Sequence, residues 1–167
     1  LHRVDRRQRQ MCIRDRHLTG GLSAAAATEA VQAGLVDGME SASRSGATII
    51  ARQILCLMRH LDVPEDVVDL AVNHAPGVVG VDIAGPEDGF PLTPFTNALT
   101  RIQAAGIHLT VHAGEAAGPE SVLDALNHGA ERLGHGVRII EDRDESEWGP
   151  IAQRVLSNQV PLEVCPT

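Results

Sequence analysis

Short apolar segments alternate with longer, more polar ones about every 25 to 30 residues, and this alternation limits the possible folds more than any other feature. Short Val-, Ile- and Leu-rich runs bounded by Gly or Pro are typical of buried strands, and the segments between them are typical of helices. The predicted strands are residues 46–60, 77–85, 107–112, 131–136 and 161–165, and the predicted helices are residues 23–39, 64–75, 92–106, 118–129 and 144–159. Such repeated units predict a parallel sheet covered by helices, either doubly wound or a (β/α)₈ barrel.

The length of the chain limits how much of such a fold it can form. A complete eight-stranded barrel typically takes about 250 residues, whereas this chain has 167. We therefore expect one domain over residues 17–167 that contains fewer than eight strands. Its core has to be aliphatic, because the chain contains two Phe, one Trp and no Tyr.

Charge is unevenly distributed along the chain. Residues 1–16 contain six Arg and two Asp, whereas the whole chain carries a net charge of −8. This Arg-rich head has no hydrophobic periodicity, and we expect it to be disordered or foreign to the folded domain. The remainder is acidic, which argues against binding to nucleic acid, because a phosphate backbone requires a basic surface.

The sequence shows no sign of a membrane segment or an oxidising compartment. No apolar run approaches the roughly 18 residues of a membrane span, and no apolar region follows the basic N-terminus as it does in a secretory signal. The cysteines are Cys12, Cys56 and Cys165, which have no metal-binding spacing, and we expect reduced side chains that fill the core. These features predict a cytoplasmic protein without a membrane partner.

Titratable side chains collect where the predicted strands end, which is where parallel α/β folds place their functional sites. The third predicted strand ends in His112, and Glu115 follows after only Ala113 and Gly114. Strand alternation places His112 on the face opposite Val111. A neutral imidazole is a good zinc ligand, and a carboxyl group in a dry pocket can have its pKa raised enough to donate a proton near neutral pH.

Two interpretations of this pair remain open on spacing alone. His112 and Glu115 form either a metal and proton-transfer site, or a histidine at the rim of the sheet and a glutamate that caps a helix. His135, between two glycines at the end of the next strand, favours the first, because it could reach a water bound beside His112. The other histidines are expected to have no catalytic role; they are His2, His17, His60, His74, His108 and His128.

Ordered motifs give the chain a more specific resemblance. The stretches VDIAGPE, VHAGE, RLGHGV and LEVCPT follow GATIIARQILCLMRH in this order, and together they resemble the adenosine deaminase family from about residue 17 to residue 167. The resemblance implies a zinc-dependent, amidohydrolase-type enzyme that converts adenosine and water into inosine and ammonia. It also implies a partial TIM-type (β/α)₈ barrel with about five of the eight β/α units, strands three to seven. The expected partner is a purine nucleoside.

The same resemblance implies roles for individual residues. His112 is similar to a zinc ligand, Glu115 to the acid that protonates N1 of the purine ring, and His135 to the histidine that orients the zinc-bound water and helps deprotonate it. Gly85 is similar to the residue whose backbone contacts the purine. Glu87 lies beside that contact and receives no role.

The resemblance also shows what this sequence lacks. The first strand of the family carries an H-x-H pair of zinc ligands and the last strand an Asp-Asp pair, and neither occurs here. A catalytic zinc normally takes at least three protein ligands, so we expect an internal fragment that alone neither binds zinc tightly nor deaminates adenosine. Two other functions remain open: deamination of adenine or a modified adenosine within the same family, and a non-catalytic role as a barrel fragment.

Overall fold

Five parallel strands form one sheet in the computed structural model, which describes residues 21–62 and 66–165. The strands are β1 (Gln53–Met58), β2 (Val78–Ala84), β3 (His108–Ala113), β4 (Arg132–His135) and β5 (Leu162–Glu163). They lie in the order β1-β2-β3-β4-β5. A doubly wound sheet reverses its strand order at a switch point, whereas a barrel adds each strand beside the previous one. The observed order therefore confirms the partial barrel.

Each connection between successive strands contains a helix. The helices are α1 (Ala24–Arg44), α2 (Val67–Asn73), α3 (Thr96–Ala104), α4 (Pro119–Asn127) and α5 (Pro150–Ser157), with 3₁₀ turns at Thr93–Phe95 and Val137–Glu141. Proline is the first residue of α4 and of α5, where the missing N–H has no helical partner to lose. None of the described helices is both long and apolar enough to cross a membrane. The Arg-rich head and the predicted helix start at Pro64 lie outside the described residues.

An aliphatic core holds the sheet against the helices, as the composition predicted. Its largest fully buried side chains include Leu57, Val81, Ile83, Leu109, Val111 and Leu133 from the strands and Val67, Leu99, Ile102 and Val122 from the helices. Phe95, in the 3₁₀ turn before α3, is buried with them. Burying a side chain of this size contributes about 1.5–3 kcal/mol. This core fixes the register of the strands whose carboxyl ends carry the titratable residues.

The outermost described strands leave apolar side chains in contact with solvent. Ile54 on β1 is 45% exposed, and Leu162 on β5 is 37% exposed. Strand edges with unpaired backbone groups and apolar side chains favour association with other chains. The open edges expected of a partial barrel are therefore present in the described part of the chain.

Helix α1 extends further than the sequence predicted. It begins after Ser23, whose side chain accepts a hydrogen bond from the N–H of Ala26, but it continues to Arg44. The predicted end at residue 39, just after Gly38, was wrong. A glycine costs a helix only about 1 kcal/mol relative to alanine, which does not end a helix of 21 residues.

The cysteines follow the prediction only in part. Cys56, on β1, is buried among core side chains, whereas Cys165 is exposed. The predicted core position of Cys165 was wrong because this residue follows β5, a strand of two residues at the edge of the sheet. Cys12 lies outside the described residues.

Candidate active site at the carboxyl ends of the strands

His112 and His135 lie side by side at the carboxyl ends of β3 and β4. The register places His112 opposite Gly134 and Ala113 opposite His135. The centroids of the two imidazole rings are 5.0 Å apart, and the rings meet edge to face at 68°. Nε2 of His135 lies 3.6 Å from Oε2 of Glu115. The structure thus brings together the three side chains that the sequence singled out, while their chemical roles stay predictions.

The glycine opposite His112 leaves room for the imidazole. A Cβ atom added to Gly134 would lie 2.7 Å from Cγ and 2.8 Å from Nδ1 of His112. Atoms this close would have to move apart. The ladder hydrogen bonds between β3 and β4 oppose such a shift of the backbone. The motif RLGHG therefore serves the site twice, since Gly134 makes room for one imidazole and His135 supplies the other.

Asp82 of β2 orients the His112 ring. Nδ1 of His112 lies 3.0 Å from Oδ1 of Asp82, and both residues are buried. A carboxylate only accepts, so the ring donates from Nδ1 and, when neutral, keeps its lone pair on Nε2. Burial alone lowers the pKa of His112, but the hydrogen bond and charge of Asp82, together with the charges of Glu163 and Glu115, raise it more, so the pKa lies above its ordinary value of 6.5. A carboxylate behind an imidazole is the usual way to orient a metal-binding histidine.

Glu115 lies on the loop between β3 and α4. Gly114, just before it, has a φ of +69°, a conformation that residues with a Cβ rarely adopt. A Cβ added there would also lie 2.8 Å from Cγ2 of Val122, so the loop passes close to α4. The side chain of Glu115 is 56% exposed. The described residues therefore do not supply the dry pocket that the sequence suggested for it.

The backbone of His135 is in an unusual conformation. Its φ is +65°, which is uncommon for a residue other than glycine. The next residue, Gly136, has a φ of +67°, and its N–H donates a hydrogen bond to the carbonyl of Ala113 at 3.0 Å. Backbone outliers of this kind cluster at functional sites. The outlier supports a functional role for His135.

Besides Asp82, two buried charged residues at this end of the sheet received no role from the sequence. Arg59, directly after β1, is 5% exposed and donates hydrogen bonds to the carbonyls of Phe90 and His112, both at 2.8 Å. Glu87, after β2, is 6% exposed and accepts hydrogen bonds from the loop that carries Glu115. Charged residues are rarely buried without partners. Their partners lie far away in the sequence, so only their places next to strand ends could have drawn attention to them.

Glu87 makes the folded chain sensitive to acid. Burial alone raises its pKa, but hydrogen bonds from the N–H of Glu115, the side chain of Ser121 and the N–H groups of Ala116 and Gly114 together lower it more, so the pKa lies below its ordinary value of 4.5. The ionised group therefore stabilises the fold above about pH 4.5, and this contribution is lost as the pH falls through the lower folded-state pKa. We expect the free energy of unfolding, measured with urea across this range, to fall more steeply with acidification than in the Glu87→Gln variant. Parallel pH profiles would contradict this.

Gly85 lies at the end of β2, on the side of the strand that faces β1. Its φ is +97°, and an added Cβ would lie 3.2 Å from Cε of Met58 and 3.3 Å from Nδ1 of His60. These neighbours differ from the two imidazoles on β3 and β4. The predicted contact of the Gly85 backbone with a purine stays a prediction.

Other described histidines have partners outside this site. His74 and His128 are the residues that end α2 and α4. Their Nδ1 atoms lie 2.8 Å and 2.9 Å from carbonyl oxygens of the preceding helical turn. His108 is at the opposite end of β3, where its Nδ1 lies 2.7 Å from Oε2 of Glu131. His2 and His17 lie outside the described residues.

Comparison with known proteins points to one family. The family model described as Adenosine deaminase matches residues 8–167, which includes all four residues predicted to serve the site. The chain belongs to the adenosine deaminase family. The partial barrel and the position of His112, Glu115 and His135 at the carboxyl ends of its strands agree with this membership.

Adenosine deaminase relatives are longer than this chain. The adenosine deaminase of Mycolicibacterium gilvum is 40% identical over 158 residues, which cover 90% of this chain and 44% of that protein. The crystal structure of an adenine deaminase from Arthrobacter aurescens has a TM-score of 0.73 at 26% identity and covers 92% of this chain and 44% of its own. An amidohydrolase from Burkholderia ambifaria with bound Zn has a TM-score of 0.63 at 28% identity, with coverages of 85% and 37%. This chain therefore spans less than half the length of these relatives.

The described residues fit one ligand position of a zinc site. His112 suits that position, because Asp82 occupies Nδ1 and leaves the Nε2 lone pair available at the rim of the sheet. No group of three or more His, Cys, Asp or Glu residues that could hold a metal ion occurs within residues 21–62 and 66–165. A zinc ion normally takes at least three protein ligands, so further ligands would have to come from outside the described residues.

Proposed function

We propose that this chain is the central part of a zinc-dependent adenosine deaminase, in which His112 is one zinc ligand, Glu115 the proton donor and His135 the residue that orients water. The observation that supports the proposal is the cluster of these three side chains. The ring centroids of His112 and His135 are 5.0 Å apart, and His135 approaches Glu115 to 3.6 Å. A ligand, an acid and a second imidazole are thus within reach of one small substrate.

Each residue then has one task in the proposed hydrolysis. When bound, zinc supplies the Lewis acidity that makes a water molecule nucleophilic near neutral pH. His112, oriented by Asp82, would bind that ion through Nε2. His135 would hold the attacking water and take up its proton. Glu115 would donate a proton to N1 of the purine, which draws electrons from C6 and lowers the cost of breaking the aromatic conjugation.

The atoms of this reaction balance without another reactant. Water adds to C6 of the purine, and one of its protons passes through His135 to the exocyclic amine, which leaves as ammonia. The other water proton returns to the Glu115 carboxylate as the C6 carbonyl forms, which restores the acid that protonated N1. The carbonyl product is inosine when the substrate is adenosine. Gly85 would present its backbone to the purine from the β2 side of the site. Such a reaction belongs to purine metabolism, and the reduced cysteines expected from the sequence favour a cytoplasmic location.

A second candidate is deamination of adenine itself. It is supported by the adenine deaminase from Arthrobacter aurescens, which has a TM-score of 0.73 with this chain. Both candidate reactions use the same three site residues. They differ in whether the rest of the site has to accommodate the ribose of adenosine. Translating the DNA on both sides of this sequence, expressing the whole product and comparing kcat/KM for adenosine and adenine would separate them. A product that lacks further zinc ligands would instead support the non-catalytic alternative.

The proposal predicts that this chain needs additional strands for activity. On its own, the 167-residue chain is expected to lose zinc during dialysis and to form no inosine, because one imidazole does not hold a catalytic zinc. Activity can be tested in a chimera in which this chain replaces the matching segment of the Mycolicibacterium gilvum adenosine deaminase. We call this chimera the completed barrel. The completed barrel is expected to retain about one zinc per chain and to form inosine. Zinc retention and turnover by the isolated chain, or a folded completed barrel without either, would refute the proposal.

A further inference from the structure

Glu87 binds the backbone of the loop that carries Glu115. Its Oε1 accepts hydrogen bonds from the N–H groups of Glu115 at 2.9 Å and Ala116 at 3.2 Å. Its Oε2 accepts from the N–H groups of Gly114 at 2.9 Å and Ala117 at 3.3 Å. One carboxylate therefore collects four consecutive N–H groups. Glu87 is 6% exposed, so water has little access to replace it.

The side chains of this loop contribute little to its conformation. Its residues are Gly114, Glu115, Ala116 and Ala117, and the one long side chain among them is 56% exposed. Packing therefore fixes little of the position of Glu115. The loop runs into α4, whose first N–H groups have no partners within the helix. Glu87 accepts hydrogen bonds from the N–H groups of residues 114–117, just before α4 begins, and these bonds hold the backbone of the loop in place.

The segment after β4 holds the same loop by its carbonyl groups. The N–H of Arg138 donates to the carbonyl of Gly114 at 2.8 Å, and its guanidinium donates to the carbonyl of Ala116. Arg138 lies three residues after His135, in the 3₁₀ turn that follows β4. The loop is thus held between the end of β2, through Glu87, and the segment that begins with His135. These contacts determine where Glu115 lies relative to His135.

We propose that Glu87 is a positioning residue for deamination, which acts through the loop of residues 114–117 by holding Glu115 at the distance from His135 that proton transfer requires. This inference rests on the proposed role of Glu115 as the proton donor. Glu87 has no contact with the substrate in this proposal and carries no proton. The lowered pKa of Glu87 agrees with a carboxylate that stays ionised while it accepts four hydrogen bonds.

A double-mutant cycle in the completed barrel tests this role. Glu87→Gln keeps the shape of the side chain but replaces an acceptor oxygen by an NH₂ group, so two of the four N–H groups face a donor. Displacement of a catalytic group by about 1 Å can cost up to about 100-fold in rate. We expect Glu87→Gln to lower kcat by about 10- to 100-fold, with zinc content unchanged. In the Glu115→Gln background the same substitution is expected to have no further effect, because the group that it positions is already absent.

The control is Glu131→Gln, the same chemical change at an exposed carboxylate whose partner is His108 at the opposite end of β3. It is expected to leave kcat and zinc content unchanged. If the effects of Glu87→Gln and Glu115→Gln multiply, or if Glu87→Gln lowers zinc content in parallel with kcat, Glu87 has a structural role and the inference is wrong. If Glu87→Gln alone has the kcat of the unmodified barrel, the inference is also wrong, while the proposed function stands.

Amide hydrogen exchange on the 167-residue chain tests the physical link without any activity. Glu87→Gln is expected to speed exchange at residues 114–117 by about 10-fold or more, because N–H groups that lose a hydrogen bond to a charged acceptor are less protected from water. Exchange in β3 is expected to stay slow. Unchanged exchange in the loop would overturn the inference even if kcat fell. Full turnover in Glu115→Gln would instead overturn the proposed function of Glu115.

Discussion

Replacing Glu115 by Gln in the completed barrel is expected to lower kcat for adenosine by about 10²- to 10⁴-fold, the usual contribution of a positioned general acid. Glutamine has nearly the same shape but no carboxylic proton to donate to N1 of the purine. Zinc content is expected to stay unchanged, because Glu115 is not assigned as a ligand. Steady-state kinetics together with metal analysis of the purified variant would measure both quantities.

His112→Ala is the comparison that gives this result its meaning. It removes the one imidazole that the described residues offer as a zinc ligand, so both zinc and turnover are expected to be lost. If Glu115→Gln keeps its zinc while His112→Ala loses it, Glu115 acts as an acid and His112 as a zinc ligand. Turnover near that of the unmodified barrel in Glu115→Gln would show that the proton comes from another group.

Replacing Gly134 by Ala is expected to displace His112 although the change adds a single methyl group. The new Cβ would lie 2.7 Å from Cγ of His112, so the ring has to move and the geometry of its 3.0 Å hydrogen bond to Asp82 is expected to be disturbed. Overpacking in a well-packed interior costs about 1–3 kcal/mol. Loss of the carboxylate behind a metal-binding histidine typically weakens metal affinity by about 10- to 100-fold. Urea unfolding of the 167-residue chain and zinc titration of the completed barrel would measure the two effects.

The matched control for Gly134→Ala is Gly38→Ala in α1. Gly38 is helical, and a Cβ added there meets no atom within 4 Å. The same substitution is therefore expected to stabilise the chain by about 0.5–1 kcal/mol. A lower free energy of unfolding in Gly134→Ala and a higher one in Gly38→Ala would confirm that contact with His112, and not the loss of glycine as such, causes the destabilisation. Equal stability and zinc affinity in Gly134→Ala and the unmodified protein would show that the ring has room.

Much of the fold could be predicted from the sequence because it depends on local patterns. Buried parallel strands are typically rich in Val, Ile and Leu, and most such runs in this chain are followed closely by glycine or proline. The choice between a doubly wound sheet and a barrel depends on which strands are neighbours, a property that composition and periodicity do not contain. Family motifs indicated the barrel, and the strand order β1-β2-β3-β4-β5 confirmed it.

The residues of the candidate site also divide into those that the sequence could reveal and those that it could not. His112, Glu115 and His135 could be found because they follow predicted strands, and parallel strands end at the same edge of a sheet. Asp82 and Glu87 could not be connected with them. Their partners lie about 30 residues away, and the connection depends on the register between β2 and β3. A register shift of one residue would turn Asp82 to the other face of the sheet.

Anomalous diffraction at the zinc edge, from crystals of the completed barrel, tests most directly whether His112, Glu115 and His135 form one zinc-dependent site. We expect a single strong peak within bonding distance of Nε2 of His112, with Asp82 still on Nδ1 and with His135 and Glu115 facing the same space. A zinc ion whose ligands exclude His112, or a bound zinc with Glu115 turned away from it, would show that these residues do not form one zinc site.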